Sequence, residues 1–586
     1  MKPPSPRASQ LALEADLSIL QAQLILNRGI SDPLAARRFV TPRLADLADP
    51  MLFKDMDRAL KLILNAMETG RRIAVYGDYD ADGLTATALL VNFFKDLGVP
   101  VIHWVPNRFR DGYGLNAVGV EKLAAEGTGL IVTVDCGISG EMEIALAGRL
   151  GLEVVVTDHH QVPSDFNSLC PVINPLQKGC GFPCKHLSGV GIAFFLAVAV
   201  RGALRERGRF GKDRPAPDLR SYLDLVALGT VADRVPLVGQ NRILVRNGIR
   251  VMAGSRWPGI KALMEISGVR AAQISSEDLA FRLGPRLNAP GRISDPEICI
   301  EVLCTEEKDA AVRMARKIGA ANMERRQIEQ SILEQIEGMF AASGGVGEAR
   351  SLVVSGEGWS QGVLGIVASR LVEKYHRPAL VFTTKDGHAI GSGRSIHGFN
   401  LYEALTRMGG LFEGFGGHAH AAGIRMKAEN LDRLKQDLED IAGKTLSETD
   451  MVPTVQVDAQ VSLRDVGVDM VKQISSLAPF GEGNPDPRFL ARSVRVLGAK
   501  VVGGRHLKLK LTQGEKTMEA IGFGMGERYP LLDETVDMVF VPETNHWQGR
   551  ERIQLRIIDL EKSNRMSRLI LEDPGCQLDV LRAEYE

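Results

Sequence analysis

GDYDADG at 77–83, TVDCG at 133–137 and TDHH at 157–160 each close a short run of β-branched and apolar residues with acidic or imidazole side chains. The runs at 73–76, 131–134 and 154–156 read as buried parallel strands, whose two covered faces make the hydrophobic pattern continuous rather than alternating. Open α/β sheets bind ligands just beyond the carboxyl ends of such strands. Asp80, Asp82, Asp135, Asp158, His159 and His160 are therefore expected to converge on one crevice. Carboxylates gathered that closely repel one another unless cations neutralise them, so a divalent-metal site is expected.

Outward from these motifs, residues 51–240 follow a βαβ pattern, with an apolar helix over 84–94 behind the first loop. This predicts a doubly wound domain. Its last helix, 221–228, runs into GTVADRVPL and delivers Asp233 at a helix-to-loop junction. Upstream, residues 1–50 read as a polar helical segment, with DPLAARRF at 32–39 as a surface helix. Downstream, 241–345 reads as a helical region ending in a long connector helix over 310–339. A second α/β domain is expected over 346–447, with a strand at 351–355 and a helix at 362–375. From 452 to 562, segments such as HLKLKLTQ and ERIQLRIIDLE alternate at period two between turns, which favours a small β-barrel of OB type. A C-terminal tail, 563–586, completes a multidomain α/β chain.

The 586 residues are too many for one core, and 45% hydrophobic with 24% charged residues is an ordinary globular composition. Lys plus Arg number 71 against 72 Asp plus Glu, so contact with a polyanion has to rest on local patches rather than a global basic field. The N-terminus lacks an apolar signal region, and the longest apolar stretch, 190–200, is far short of a membrane span. A cytoplasmic protein is expected. Seven cysteines fit a reducing compartment. Cys180 and Cys184, near Cys170 and His186, lack the second pair that a zinc site needs and read as ordinary thiols in a loop.

In a turn, side chains at i and i+2 can point the same way, so the D-x-D of Asp80 and Asp82 can serve one metal pair. With Asp135, His159 and Asp233 it offers an oxygen and imidazole donor set suited to Mn²⁺ or Mg²⁺. Two such ions roughly 3.5–4 Å apart activate water and hold the leaving oxygen of a phosphoryl displacement. A lone Asp at a strand end more often caps the next helix, and Asp158 is expected to serve partly in that way. Farther along, Arg394 stands between Ser392 and Ser395 in GSGRS, read as a Gly-flanked turn fit for a terminal phosphate. His506, Lys508 and Lys510 alternate along one barrel strand and so share a face.

GDYDADG, TVDCG, TDHH and VADRVP resemble, in order and spacing, the four motifs of the DHH phosphoesterase family. GSGRS at 391–395 and GGHAHAAG at 416–423 are similar to that family's associated DHHA1 domain. VPNRFRDGYGL at 105–115, GPRLNAPGR at 284–292 and PFGEGNPDP at 479–487 narrow the resemblance to the family's single-strand-specific DNA exonucleases. The resemblance implies 5′→3′ hydrolysis of single-stranded DNA to mononucleotides with Mn²⁺ or Mg²⁺, in repair, recombination and mismatch repair, with a helicase and a single-strand-binding protein as candidate partners and no membrane. It implies that Asp82, Asp135, His159 and Asp233 hold one metal, that Asp80 and a bridging Asp135 hold the second, and that His160, with Asp135 and Asp158 in the catalytic group, faces the scissile phosphate. Many members carry a His four residues before the D-x-D; that place is Tyr76 here, and Asp78 is the candidate substitute. Arg108, Arg286 and Asn288 are implied to face DNA, and Ser392, Arg394 and His418 to bind substrate.

Two alternatives stand beside this reading: a small-substrate DHH phosphodiesterase acting on oligoribonucleotides or cyclic dinucleotides, and a replication scaffold that has lost catalysis. The barrel argues against the first and the intact acidic set against the second. Since every candidate ligand precedes residue 234, a chain ending near 450 is expected to keep its metal site.

Overall fold

The computed structural model describes residues 6–563 except 113, 165, 168, 530–533 and 548–549, so the expected tail lies outside the described residues from 564 onward. The chain forms two compact units, one of 48–234 and 247–453, the other of 1–47, 235–246 and 454–586.

The first unit holds two sheets. In the first, β1 (Arg72–Tyr76), β2 (Val101–Trp104), β3 (Thr128–Val134), β4 (Glu153–Thr157) and β5 (Val172–Ile173) run parallel in the order β2-β1-β3-β4-β5. All seven residues of β3 are buried, as the unbroken apolar run requires. Strand order reverses at β1 and β3, the place where a doubly wound sheet opens a crevice. The D-x-D loop leaves β1, Asp135 leaves β3, and His159 and His160 leave β4. Helix Leu223–Ala232, buried along nearly its whole length, ends with Asp233 as its C-cap residue.

A 35-residue helix, Lys308–Ala342, joins this region to the second sheet, burying Ile332 and Ile336 against Leu352, Trp359 and Val363. That sheet contains β6 (Leu352–Glu357), β7 (Ala379–Lys385), β8 (His388–Arg394), β9 (Phe412–His418) and β10 (Ala421–Lys427) in the order β6-β7-β8-β10-β9. Here the reading of GSGRS as a turn is corrected, because Gly391 to Arg394 lie in β8, paired on both sides. The glycines answer packing rather than turning: a Cβ at Gly391 would come 2.3 Å from the Phe382 ring, and one at Gly393 2.5 Å from Leu380.

The second unit contains β11 (Ala459–Gln460), β12 (Phe489–Val502), β13 (His506–Gln513), β14 (Lys516–Gly522), β15 (Thr535–Trp547) and β16 (Arg550–Lys562). Pairings β12–β13, β13–β14, β14–β16, β16–β15 and β15–β12 close a five-stranded barrel, with β14 and β16 parallel. Leu507, Leu509 and Leu511 point inward, so the intervening His506, Lys508 and Lys510 face out.

Residues 1–50 are not a polar appendage. Helices Pro6–Ala15, Ile19–Leu26 and Pro33–Val40 bury Leu11, Leu24, Ile25 and Phe39 in the same core as Val494, Leu509 and Phe540 of the barrel. Arg242 is a buried tie in this unit. Its guanidinium lies 3.8 Å from the centre of the Phe39 ring and donates to the carbonyls of Phe39 (2.7 Å), Leu477 (2.7 Å), Ala478 (3.0 Å) and Pro479 (3.3 Å). Asn484 of PFGEGNPDP donates to the Leu477 and Pro479 carbonyls, and its Oδ1 accepts from Arg28 Nε at 2.6 Å. The Glu482 carbonyl accepts from the Leu237 amide at 2.7 Å. This motif fastens the second unit together.

A chain ending near 450 would therefore strip the barrel from Leu24, Ile25 and Phe39, whose burial is worth roughly 5–9 kcal/mol together, of the order of a domain's net stability. Expressed as 1–450, the protein should aggregate or bind ANS strongly. A monodisperse 1–450 protein with a sharp unfolding transition would contradict this account.

Candidate metal centre and phosphate-facing residues

Asp80 begins helix Ala81–Asp96 as its N-cap, with Oδ1 accepting from the amides of Asp82 and Gly83, both at 3.0 Å. Asp82 is turned the other way, toward the N-terminus of helix Gly189–Glu206. Its Oδ2 accepts from the Gly189 amide at 2.7 Å and its Oδ1 from the Val190 amide at 2.9 Å, the end of a helix that favours negative charge. Asp135 sits at φ +60°, a left-handed conformation that Asp tolerates better than most residues. Its Oδ1 lies 3.0 Å from His159 Nε2, yet this buried oxygen accepts no hydrogen bond, and neither does the buried Oδ1 of Asp78. His159 Nε2 is also 3.7 Å from Asp233 Oδ2 and 4.0 Å from Asp82 Oδ2.

Among the described residues, three sets have ligand atoms within 4.8 Å of one another: Asp82, His159 and Asp233; Asp78, Asp80 and Asp135; and Asp135, His159 and His160. Burial, and then the charge of neighbouring carboxylates, pushes Asp78 up to about 8, Asp82 to about 7 and Asp233 to about 9, and Asp135 well above the usual carboxylate range. Burial, and then His160, pulls His159 down to about 4, leaving its imidazole neutral and able to ligate. Orphaned buried oxygens, mutual repulsion and an all-oxygen-and-imidazole donor set together fit Mn²⁺ or Mg²⁺. Tyr76 stays out of the cluster, its hydroxyl donating to the Gly114 carbonyl at 3.1 Å, whereas Asp78 is inside it.

Asp158 is part of none of these sets. Its Oδ1 accepts from His160 Nδ1 (2.7 Å) and the amides of His159 (2.7 Å) and His160 (3.0 Å), and its Oδ2 accepts from the Ile138 amide (2.9 Å). It caps no helix. Its contacts are those of a support for His160 rather than of a member of a ligand set. Although burial disfavours charge on the His160 ring, the Asp158 hydrogen bond and charge outweigh it and raise His160 to about 9. The half-exposed His160 ring has a nitrogen within 4.8 Å of ligand atoms of Asp135 and His159.

Around the D-x-D loop, Arg108 stacks its guanidinium 4.6 Å from the centre of the Tyr79 ring. Asn288 Oδ1 accepts from the Ala81 amide at 2.7 Å, so this residue braces the loop. Arg286 donates back to the Arg282 carbonyl at 2.6 Å, leaving a buried Nε without a hydrogen bond. In the second sheet, Arg394, Ala421 and His418 form one row across β8, β10 and β9, with Ser392, Gly423 and Gly416 in the next row on that face. A Cβ at Gly416 or Gly423 would meet nothing within 4 Å, so the face is open at these positions. Arg292, the last residue of GPRLNAPGR, was missed by the sequence reading. It donates to the Gly362 carbonyl at 3.0 Å, and burial, then Arg108 and Arg325, pull it down to about 10, with Asp80 opposing and Arg394 adding to the effect. On the barrel, Lys508 opposes Lys500 across the strands but is paired with Glu519 at 2.9 Å, so that face is less basic than its sequence suggests.

The doubly wound sheet with this acidic cluster at its switch point defines a metal-dependent hydrolase of the DHH class: residues 72–230 match the DHH family N-terminal domain, 349–444 the DHHA1 domain and 457–559 the RecJ OB domain. The single-stranded-DNA-specific exonuclease RecJ of Escherichia coli is 37% identical over 579 residues, covering 96% of this chain and 96% of that protein. RecJ of Bacillus subtilis is 34% identical over 95% of this chain and 70% of its own. The crystal structure of Thermus thermophilus RecJ with Mn²⁺ superposes with a TM-score of 0.80 at 29% identity, covering 96% of this chain and 78% of that one. The chain belongs to the RecJ family.

Asp158→Asn removes the charge that holds His160 protonated and oriented while keeping the shape of the side chain. Turnover should fall roughly 10–100-fold, as for other outer-shell partners. Full activity in the folded variant would show that His160 needs no such support.

Proposed function

We propose that this chain hydrolyses single-stranded DNA from the 5′ end, releasing mononucleotides, and serves DNA repair and recombination. The observation that carries the reading is the pair of ligand sets, Asp82, His159 and Asp233 beside Asp78, Asp80 and Asp135, joined by the 3.0 Å contact of Asp135 with His159. Asp135 is the bridging ligand in this reading. When bound, Mn²⁺ or Mg²⁺ supplies Lewis acidity at the scissile phosphate and a water acidified for attack. His160, charged and half-exposed, donates a hydrogen bond to a phosphate oxygen, with Asp158 fixing its ring. Arg108 and Arg286 take backbone phosphates as the strand enters.

Arg394, with Ser392 and His418 on the same face and Arg292 electrostatically coupled to it, suits the terminal 5′-phosphate. Binding the end there sets the polarity. The closed barrel supports a long-strand substrate over a small one, because small-domain barrels of this type track backbones and bases. A helicase or single-strand-binding protein would supply that strand. No described helix is long and apolar enough to cross a membrane, and none of the six described cysteines is in a disulfide, which suits a reducing cytoplasm.

With Mn²⁺ present, a 5′-labelled single strand should yield labelled mononucleotide at once, and a 3′-labelled one a ladder; the reverse pattern would overturn the polarity. Asp135→Asn keeps a residue that tolerates φ +60° yet removes the bridging charge, so hydrolysis should drop roughly 100-fold or more, beyond the usual outer-shell loss. Near-normal rates would contradict the site. Arg394→Ala should weaken use of 5′-phosphorylated strands by roughly 10–100-fold, the worth of one charge-assisted contact, and spare 5′-hydroxyl strands. Equal losses on both would remove Arg394 from the end-binding role.

A further inference from the structure

The start of helix Gly189–Glu206 touches more of the acidic cluster than any ligand explains. Gly189 and Val190 hold both oxygens of Asp82 at 2.7 and 2.9 Å. A Cβ on Gly189 would come 2.7 Å from the Asp135 side chain, so only a glycine lets this backbone lie against both carboxylates. Ser188 is the N-cap, its hydroxyl oxygen accepting from the Gly191 amide at 3.2 Å. That same hydroxyl lies 2.7 Å from Thr230 Oγ1, and both side chains are fully buried. Thr230 is on helix Leu223–Ala232, three residues before Asp233. The two helices meet closely there: a Cβ on Gly229 would be 2.8 Å from Val190 Cγ1, and 2.9 Å from Asp82 Oδ1 on helix Ala81–Asp96.

We infer that Ser188 and Thr230 form a positioning pair for the first metal, one hydroxyl contact that fixes the helix clamping Asp82 against the helix presenting Asp233. Neither side chain touches the metal or the substrate. Without the contact, Asp82 stays on its two amides, but Asp233, the most exposed member of its set, loses its fixed distance to Asp82 and His159. Buried hydroxyls would pair for satisfaction alone anywhere in a core. What sets this pair apart is that each helix it joins carries or clamps a different ligand of one set, so its length is transmitted to the site through two short, rigid segments.

This inference rests on the metal reading above, and its test separates the two. Mn²⁺ binding to the full-length protein is measured by titration calorimetry without DNA, alongside the Mn²⁺ concentration that half-saturates exonuclease activity and the thermal unfolding midpoint. Thr230→Val keeps shape and branching and removes the hydroxyl; Mn²⁺ affinity should fall roughly 10–100-fold, with turnover at saturating Mn²⁺ within a few-fold of the parent. Thr230→Ser should restore the affinity. Thr230→Ala serves where the Val variant does not fold, and Ser188→Ala should lower Mn²⁺ affinity in the same direction. A lowered midpoint with unchanged Mn²⁺ affinity would reduce the pair to ordinary core packing and overturn the inference. If the parent protein takes up no Mn²⁺, the metal reading itself fails, and this inference with it.

Discussion

The crevice is governed by the burial of carboxylates that lack enough partners. Asp78, Asp82, Asp135 and Asp233 are all driven above their ordinary range by lost water and by each other. Two unit charges about 4.8 Å apart repel by roughly 3–4 kcal/mol at an effective dielectric near 20, so several such pairs weigh as much as a domain's net stability. The surrounding structure offsets only part of this: two amides for Asp82, two for Asp80, none for the inner oxygens of Asp78 and Asp135. The remaining deficit is the shape of a cation site. Glycines at 189 and 229 follow from the same constraint, because side chains there would separate the elements that bring the charges together.

On the phosphate side the organisation is different. Arg108 and Arg394, from separate stretches of chain, both act on the charge of Arg292, and the face of the second sheet is open at Gly416 and Gly423. Cations that repel one another are, like the clustered carboxylates, set in advance for a partner of opposite sign. The acidic cluster and the arginines thus carry charge of opposite sign. A phosphodiester chain with its counter-cations satisfies both.

The first sheet was legible because parallel strands covered on both faces leave continuous apolar runs, and ligands cluster at their ends. Asp78 entered as a candidate through the resemblance, because Tyr76 occupies the usual histidine place, and it lies beside Asp80 and Asp135. What failed to show were relations between distant residues. GSGRS carries turn composition, yet its glycines make room for Phe382 and Leu380, side chains on a neighbouring strand. The N-terminal helices have the spacing of an amphipathic surface, but nothing local says that their apolar stripe belongs to a barrel some 420 residues later. Asp158 carries the residue type of a ligand, and only the positions of His160 and the Ile138 amide reveal its role as a support. Arg292 ends GPRLNAPGR, but its partner is a backbone carbonyl, at Gly362, which no side-chain pattern advertises.

The shared core of the second unit also orders events in time. Phe39 packs with residues from Val461 onward, so a ribosome must add about 420 residues between the first half of that core and the second. At 5–20 residues per second this is roughly 20–80 s. During that interval the amphipathic helices at 6–40 have emerged with their apolar stripe uncovered, while the sheet bearing the acidic cluster can already form beside them. Completion of the barrel is the step that supplies the partners of that stripe.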